Sequence, residues 1–174
     1  VFYNQSYYDG NKLAIDAAPI TGPNNDDDDA IDTSKFPLLP GAGTATTANY
    51  VGYNKGVNGL MIDVENANRA PVAGDFTFID KGRNGTFNTP VTPSAFLARP
   101  LPGGDGNDYR CVFTFTWPTA KKAVWLECRV GTGFGLADLG GSYAGLGDIF
   151  WYGHAYGEGL SPSGTNAIVD GTDV

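Results

Sequence analysis

Apolar and polar residues alternate with a period of two in several short stretches, and no long stretch carries the 3.6-residue period of a helix. The clearest alternation opens at Cys111. Cys111, Phe113, Phe115 and Trp117 fall on one face, and Val112, Thr114 and Thr116 on the other. Pro118 has no amide hydrogen for a ladder and ends the strand. A second run, Lys122 to Val130, returns. Folding the two about Pro118-Thr119-Ala120-Lys121 sets Phe113 opposite Leu126, Phe115 opposite Val124 and Cys111 opposite Cys128. Opposed Cβ atoms in an antiparallel pair lie near bridging distance. The pattern predicts a hairpin closed by a Cys111–Cys128 disulfide; the alternative is two buried free thiols.

Other stretches share the alternation. Leu60, Ile62 and Val64 point inward, and Met61, Asp63 and Glu65 outward. Phe76 and Phe78 point inward between Asp75 and Asp80. A weaker strand, Val91 to Ala98, is interrupted by Pro93. The last strand, Asp148 to Tyr156, is apolar on both faces, with Ile149, Trp151 and Ala155 on one and Phe150, Tyr152 and Tyr156 on the other, which predicts cover on both sides. Val1 to Asn4 reads as a short strand, Asn11 to Asp32 as a surface loop, and Phe36, Leu38 and Leu39 as a plug at one end of the core. With 25 Gly and 11 Pro in 174 residues punctuating these runs, the expected fold is all-β: an antiparallel β-sandwich, jelly-roll or Ig-like, with long Gly/Asp-rich loops. The length suits one domain, 1–158, followed by a C-terminal tail, 159–174.

A net charge of −8 argues against nucleic acid and anionic membrane surfaces, which need a basic footprint. No apolar run is long enough for membrane insertion. Sparse lysine, two cysteines in hairpin register and abundant Asn, Thr and Gly point to an extracellular or cell-surface protein, and the start at Val1 fits a processed chain or an excised fragment. Asn4 and Asn84 open glycosylation sequons. The single histidine, His154, lies in an aromatic strand and reads as a packed residue, and no pair stands out among the 19 acids as a hydrolytic couple. The glycines of 131–135 lack the lysine and hydroxyl of a phosphate loop. The expectation is a non-enzyme without an organic cofactor. The acid runs Asp26 to Asp29 with Asp32, and Asp105 to Asp108, offer hard oxygens for Ca2+, without EF-hand spacing.

Several stretches share an order and spacing with a known family: Val1-Phe2-Tyr3-Asn4 with Asp9-Gly10-Asn11; Asp28-Asp29-Ala30-Ile31 with Lys35 and Leu38-Leu39-Pro40-Gly41; Ala48-Asn49-Tyr50; Gly56 to Val64; Trp125-Leu126; and Asp148-Ile149-Phe150 leading to Gly157-Glu158. In these the chain resembles a domain of large secreted proteins of planctomycete-type bacteria, placed before a dockerin-like calcium-binding segment. Asn166-Ala167-Ile168-Val169 with Thr172-Asp173 resembles the start of that segment. The resemblance implies an extracellular β-sandwich with no assigned reaction. It favours a Ca2+ ion shared by Asp9 and Asp28, with Asp29 beside them. The chain departs from the family at His154, where the family has Asn, and in its cysteine pair.

Two functional readings follow. The first is a structural, self-associating surface protein, the subunit of an extracellular filament, whose partners are copies of itself. Val1, Phe2 and Tyr3 at one end, and Phe150 and Tyr152 at the other, would be strand edges without protective charge or proline, open to β-augmentation. The second is a carbohydrate-binding module with Trp125 as a stacking platform for a polysaccharide; the alternative for Trp125 is burial.

Overall fold

A computed structural model describes residues 1–83, 85–101, 104–116, 123–133 and 147–155 in full, and the backbone of 159–160 and 167–168. The described residues are strands, turns and two single-turn 3-10 segments. The strands are β1 (Tyr50–Val51), β2 (Gly59–Val64), β3 (Phe76–Asp80), β4 (Thr89–Val91), β5 (Ala95–Pro100), β6 (Tyr109–Thr114), β7 (Trp125–Val130), β8 (Asp148–His154), β9 (Gly159–Leu160) and β10 (Ala167–Ile168). One sheet has five strands in the order β1-β8-β7-β3-β4, and another has three, β2-β6-β5. The stretch 91–98 divides around Pro93: β4 joins the first sheet and β5 the second. The fold is all-β but not antiparallel throughout, because β1 runs parallel to β8. In the tail only the β9–β10 pair is described, so the dockerin-like stretch lies largely outside the described residues.

The expected hairpin does not form. β6 pairs with β2 and β5, and β7 pairs with β3 and β8. The chain therefore changes sheets between 114 and 125. Cys111 stands beside Ile62 and Ala98, while Cys128 stands beside Phe78 and Phe150. Both are buried free thiols. Cys111, Phe113, Phe115, Leu126 and Cys128 nevertheless point inward as their alternation requires, while Val124 is only half-buried and Trp117 lies outside the described residues. Phe113 and Phe115 from the smaller sheet meet Phe76, Phe78, Leu126 and Val130 from the larger one in a single core. The ring centroids of Phe113 lie 4.8 Å from Phe76 and 4.9 Å from Phe78, edge-on, an arrangement that aromatic quadrupoles favour.

The segment Asn11 to Asp32 is a surface loop only in part: residues 17–23 are exposed, but Asp26, Asp27 and Ala30 are buried. Phe2 and Ala30, with Ile15 and Ile31 alongside, pack on Val112 and Met61 and cover the outer face of the three-stranded sheet. That is why Val112, whose side chain points away from the main core, is as buried as Phe113. The cover is fixed by backbone bonds: the Phe2 amide donates to Gly59 O (3.2 Å), the Tyr3 amide to Ala30 O (3.0 Å) and the Asp32 amide to Val1 O (3.1 Å). It is also fixed by charge, since Arg99 on β5 and Arg110 on β6 both grip Asp28.

This arrangement corrects the assignment of the self-association residues. Phe2 is 1% exposed and Tyr152 is 7% exposed. Val1, Tyr3 and Phe150 pack against the chain's own core. β8 is not an edge, because β7 lies on one side, and β1 and a bridge from Leu38 to Trp151 lie on the other. Nor do Phe36 and Leu39 plug the core, since both are exposed. Among the described residues, no helix is long and apolar enough to cross a membrane.

Candidate functional site

The outer face of the five-stranded sheet carries Trp125, Glu127 and Arg129 from β7 and Trp151 from β8, with Glu127 directly opposite Trp151 in the ladder. Side chains two apart on a strand share a face, so this grouping follows from register. The segment from Leu38 to Gly43 rises beside β8 through the Leu38 bridge, and Lys81 and Gly85 rise beyond β7. Between these walls runs an open groove of about 450 Å³ floored by Trp125, Glu127 and Trp151.

Both indoles are half-buried and held from behind. Glu127 is buried beneath them. Its Oε2 accepts the Trp151 indole N–H at 2.9 Å, and its Oε1 accepts Arg129 Nε at 2.7 Å and faces Arg129 Nη2 at 2.6 Å. Lys81 Nζ stands 3.7 Å from Oε2 and donates to Asn88 Oδ1 at 2.5 Å. A buried carboxylate with such partners keeps its charge compensated and fixes the plane of one ring. Trp125 is fixed differently. It stands opposite Gly153, where a Cβ would come within 2.6 Å of the Tyr50 ring. Lacking one, Gly153 lets Tyr50 lean across it, and the Tyr50 and Trp125 centroids are 4.7 Å apart. Two prefixed aromatic faces above polar groups suit a ligand with apolar C–H faces and hydroxyl edges. Glu127 is the only carboxylate among the described lining residues.

Of the residues singled out in sequence, Trp125 is on the groove floor. Trp151, Glu127 and Lys81 were not singled out. Their signal was parity alone, and parity acquires a partner only once the β7–β8 register is known. His154 is buried, and its Nδ1 accepts the Ala123 amide at 2.9 Å. Its Nε2 therefore carries the proton and donates to Tyr53 O at 2.8 Å. Burial pushes the Cys111 thiol up to about 12, and Cys128 is likewise raised by burial.

Asn4 is fully buried. A sequon needs its side-chain amide in solvent, so the structure excludes Asn4 as a glycosylation site in the folded chain. Asn84 lies outside the described residues. The residues expected to share an ion, Asp9, Asp28 and Asp29, do not gather in one site. Asp28 is occupied by Arg99 and Arg110, and Asp29 is exposed and accepts the Asn25 amide at 3.1 Å. Asp9 is buried, and its charge is felt by Asp27. Among the described residues no three His, Cys, Asp or Glu side chains gather as a metal centre.

No family model matches the chain, and neither does any curated protein or solved structure.

Proposed function

We propose that this is an extracellular β-sandwich, of jelly-roll or immunoglobulin-like type, that binds a polysaccharide without cleaving it, through the Trp125–Trp151 groove. The observation that carries the reading is the Glu127 anchor: a buried carboxylate that fixes the Trp151 indole at 2.9 Å beside a second half-buried indole. Immobilised rings stack on a sugar at low entropic cost, because little side-chain freedom is lost on binding. A hydrolase would draw on a pair of carboxylates across the scissile bond, and Glu127 has both oxygens engaged. The sparse lysine, the acidic charge and the resemblance to secreted bacterial domains support an external location.

The test is native affinity electrophoresis in gels containing soluble β-glucan, xylan, mannan or pectin, followed by calorimetry on the best ligand. Trp151→Ala and Trp125→Ala should each weaken binding about 30-fold, the loss of roughly 2 kcal/mol expected for a central aromatic contact. A wild-type protein retarded by none of these polymers, or retarded equally in both variants, sinks the reading. The filament-subunit reading would then stand, using surfaces other than Val1–Tyr3 and Phe150–Tyr152, and light scattering of the same samples would reveal its assemblies.

A further inference from the structure

Two loops of the N-terminal cover meet at a buried acidic point. Asp9 lies in the turn around Gly10, and Asp27 follows the Asn24-Asn25 turn. The loops touch, because a Cβ placed on Gly10 would sit 3.6 Å from Asn24 O and 3.7 Å from Asn25 Cα. Both carboxylates are fully buried. Each uses one oxygen within the chain: Asp9 Oδ2 accepts the Gln5 amide at 2.5 Å, and Asp27 Oδ2 accepts the Asp16 amide at 2.9 Å. The second oxygen of each, Asp9 Oδ1 and Asp27 Oδ1, is buried without a hydrogen-bond partner, as are both polar atoms of the fully buried Asn4 side chain. Asn4 belongs to the same corner: it adjoins Gln5, and the Tyr53 hydroxyl, which feels the Asp9 charge, donates to Gln5 O at 2.9 Å.

Native proteins rarely leave such groups alone. A buried polar atom without a partner costs about 1–3 kcal/mol, and a charged one more. Two mutually repelling carboxylates are worse. Burial first, with the neighbouring charges of Asp16 and Asp9 adding to it, pushes the Asp27 carboxyl up to about 6. Burial likewise raises Asp9, although the amides of Gln5, Asn11, Ser6 and Lys12 oppose it. The nearby cations make their hydrogen bonds elsewhere: Lys12 Nζ to Asp16 (3.0 Å) and Asn25 O (2.5 Å), and Arg99 to Asp28 and Asp16 O, so the Arg99 charge offsets that of Asp27 only from a distance. The unpaired atoms able to ligate a cation are all oxygens, Asp9 Oδ1, Asp27 Oδ1 and Asn4 Oδ1; the fourth, Asn4 Nδ2, carries N–H donors and does not ligate one. That set selects a hard divalent ion of flexible coordination over a transition metal.

We infer that one Ca2+ ion bridges Asp9 Oδ1 and Asp27 Oδ1, with Asn4 Oδ1 as a third protein ligand and water completing the shell. Two carboxylates and an amide hold it. The ion ties the start of the chain to the 16–27 segment and so locks the cover over the three-stranded sheet.

The test uses the whole chain, stripped with chelator and then titrated with CaCl2 while thermal unfolding is followed, and separately with TbCl3 while tyrosine-sensitised emission is read. Saturating calcium should raise the midpoint by about 5–10 °C, as expected for a ligand that binds the native state alone. Terbium should emit at one equivalent per chain, and calcium should quench it. Asp9→Asn and Asp27→Asn should each abolish both responses, whereas Asp29→Asn should keep them. Metal-free Asp27→Asn should melt no lower than metal-free wild type, because it removes one of two like charges that repel each other; this separates loss of the ion from loss of the fold. A stripped wild-type protein indifferent to both ions would overturn the inference, leaving buried water to satisfy the oxygens. So would an Asp27→Asn variant with the full calcium response.

Discussion

Replacing Phe2 by alanine should destabilise the folded chain itself. The ring is 1% exposed and lies on the outer face of the three-stranded sheet against Ala30 and Val112. It also fills the space above Gly59, where a Cβ would come within 2.7 Å of it. A phenylalanine buries at least about 150 Å², which at ~25 cal/mol per Å² is about 4 kcal/mol, within the range of about 3–5 measured for buried Phe→Ala changes. Alanine keeps the Phe2 amide bond to Gly59 O, so the change isolates the side chain. With a urea m-value of about 2 kcal/mol/M, the midpoint should fall by about 2 M; the melting temperature should drop by roughly 10 °C. The assay is urea unfolding followed by tryptophan fluorescence, with light scattering to hold the association state fixed. A midpoint within about 0.3 M of wild type, at an unchanged m-value, would refute the reasoning. Phe2 would then be a contact between chains, not a part of this core.

Three further outcomes follow from the core and the cover. Cys111 and Cys128 should resist alkylation at pH 8 in the native protein and yield two thiols after unfolding; a native mass two hydrogens short would contradict this. The raised Cys111 thiol binds its proton more tightly folded than unfolded, so its contribution to stability is complete below about pH 8.5 and is lost as pH rises toward about 12. A flat stability profile across that window would count against its burial. Asp28→Ala takes the carboxylate partner from the nearly buried Arg99 guanidinium, which keeps only Asp16 O at 3.2 Å, while Arg110 keeps Asp63 at 2.7 Å. It should cost about 3 kcal/mol, against less than about 0.5 for exposed Asp29→Ala. Equal urea midpoints for the two variants would exclude the arginine clamp.

What the sequence determined by itself was parity. Leu60, Phe76, Phe78, Cys111, Phe113, Leu126 and Cys128 point into the core, as their alternation demanded, because the pleat sends successive side chains to opposite faces whatever the strand pairs with. Parity does not name a partner. Two strands in a hairpin and two strands on facing sheets both turn the same alternate residues to a common core, so the run from Cys111 to Cys128 satisfied either arrangement. Tertiary structure chose the second. It also decided the fate of the first 32 residues. Their apolar side chains, Phe2, Ile15, Ala30 and Ile31, are too scattered to show a period, and the outer face of the three-stranded sheet, at Val112 and Met61, is the surface they cover. The two candidate sites have the same origin. Trp125, Glu127 and Trp151 converge through the β7–β8 register, and Asp9 and Asp27 through contact between loops; neither is a spacing along the chain. The acid run supplied the charge, but burial picked Asp27 over Asp28 and Asp29, by giving one neighbour to the arginines and the other to solvent.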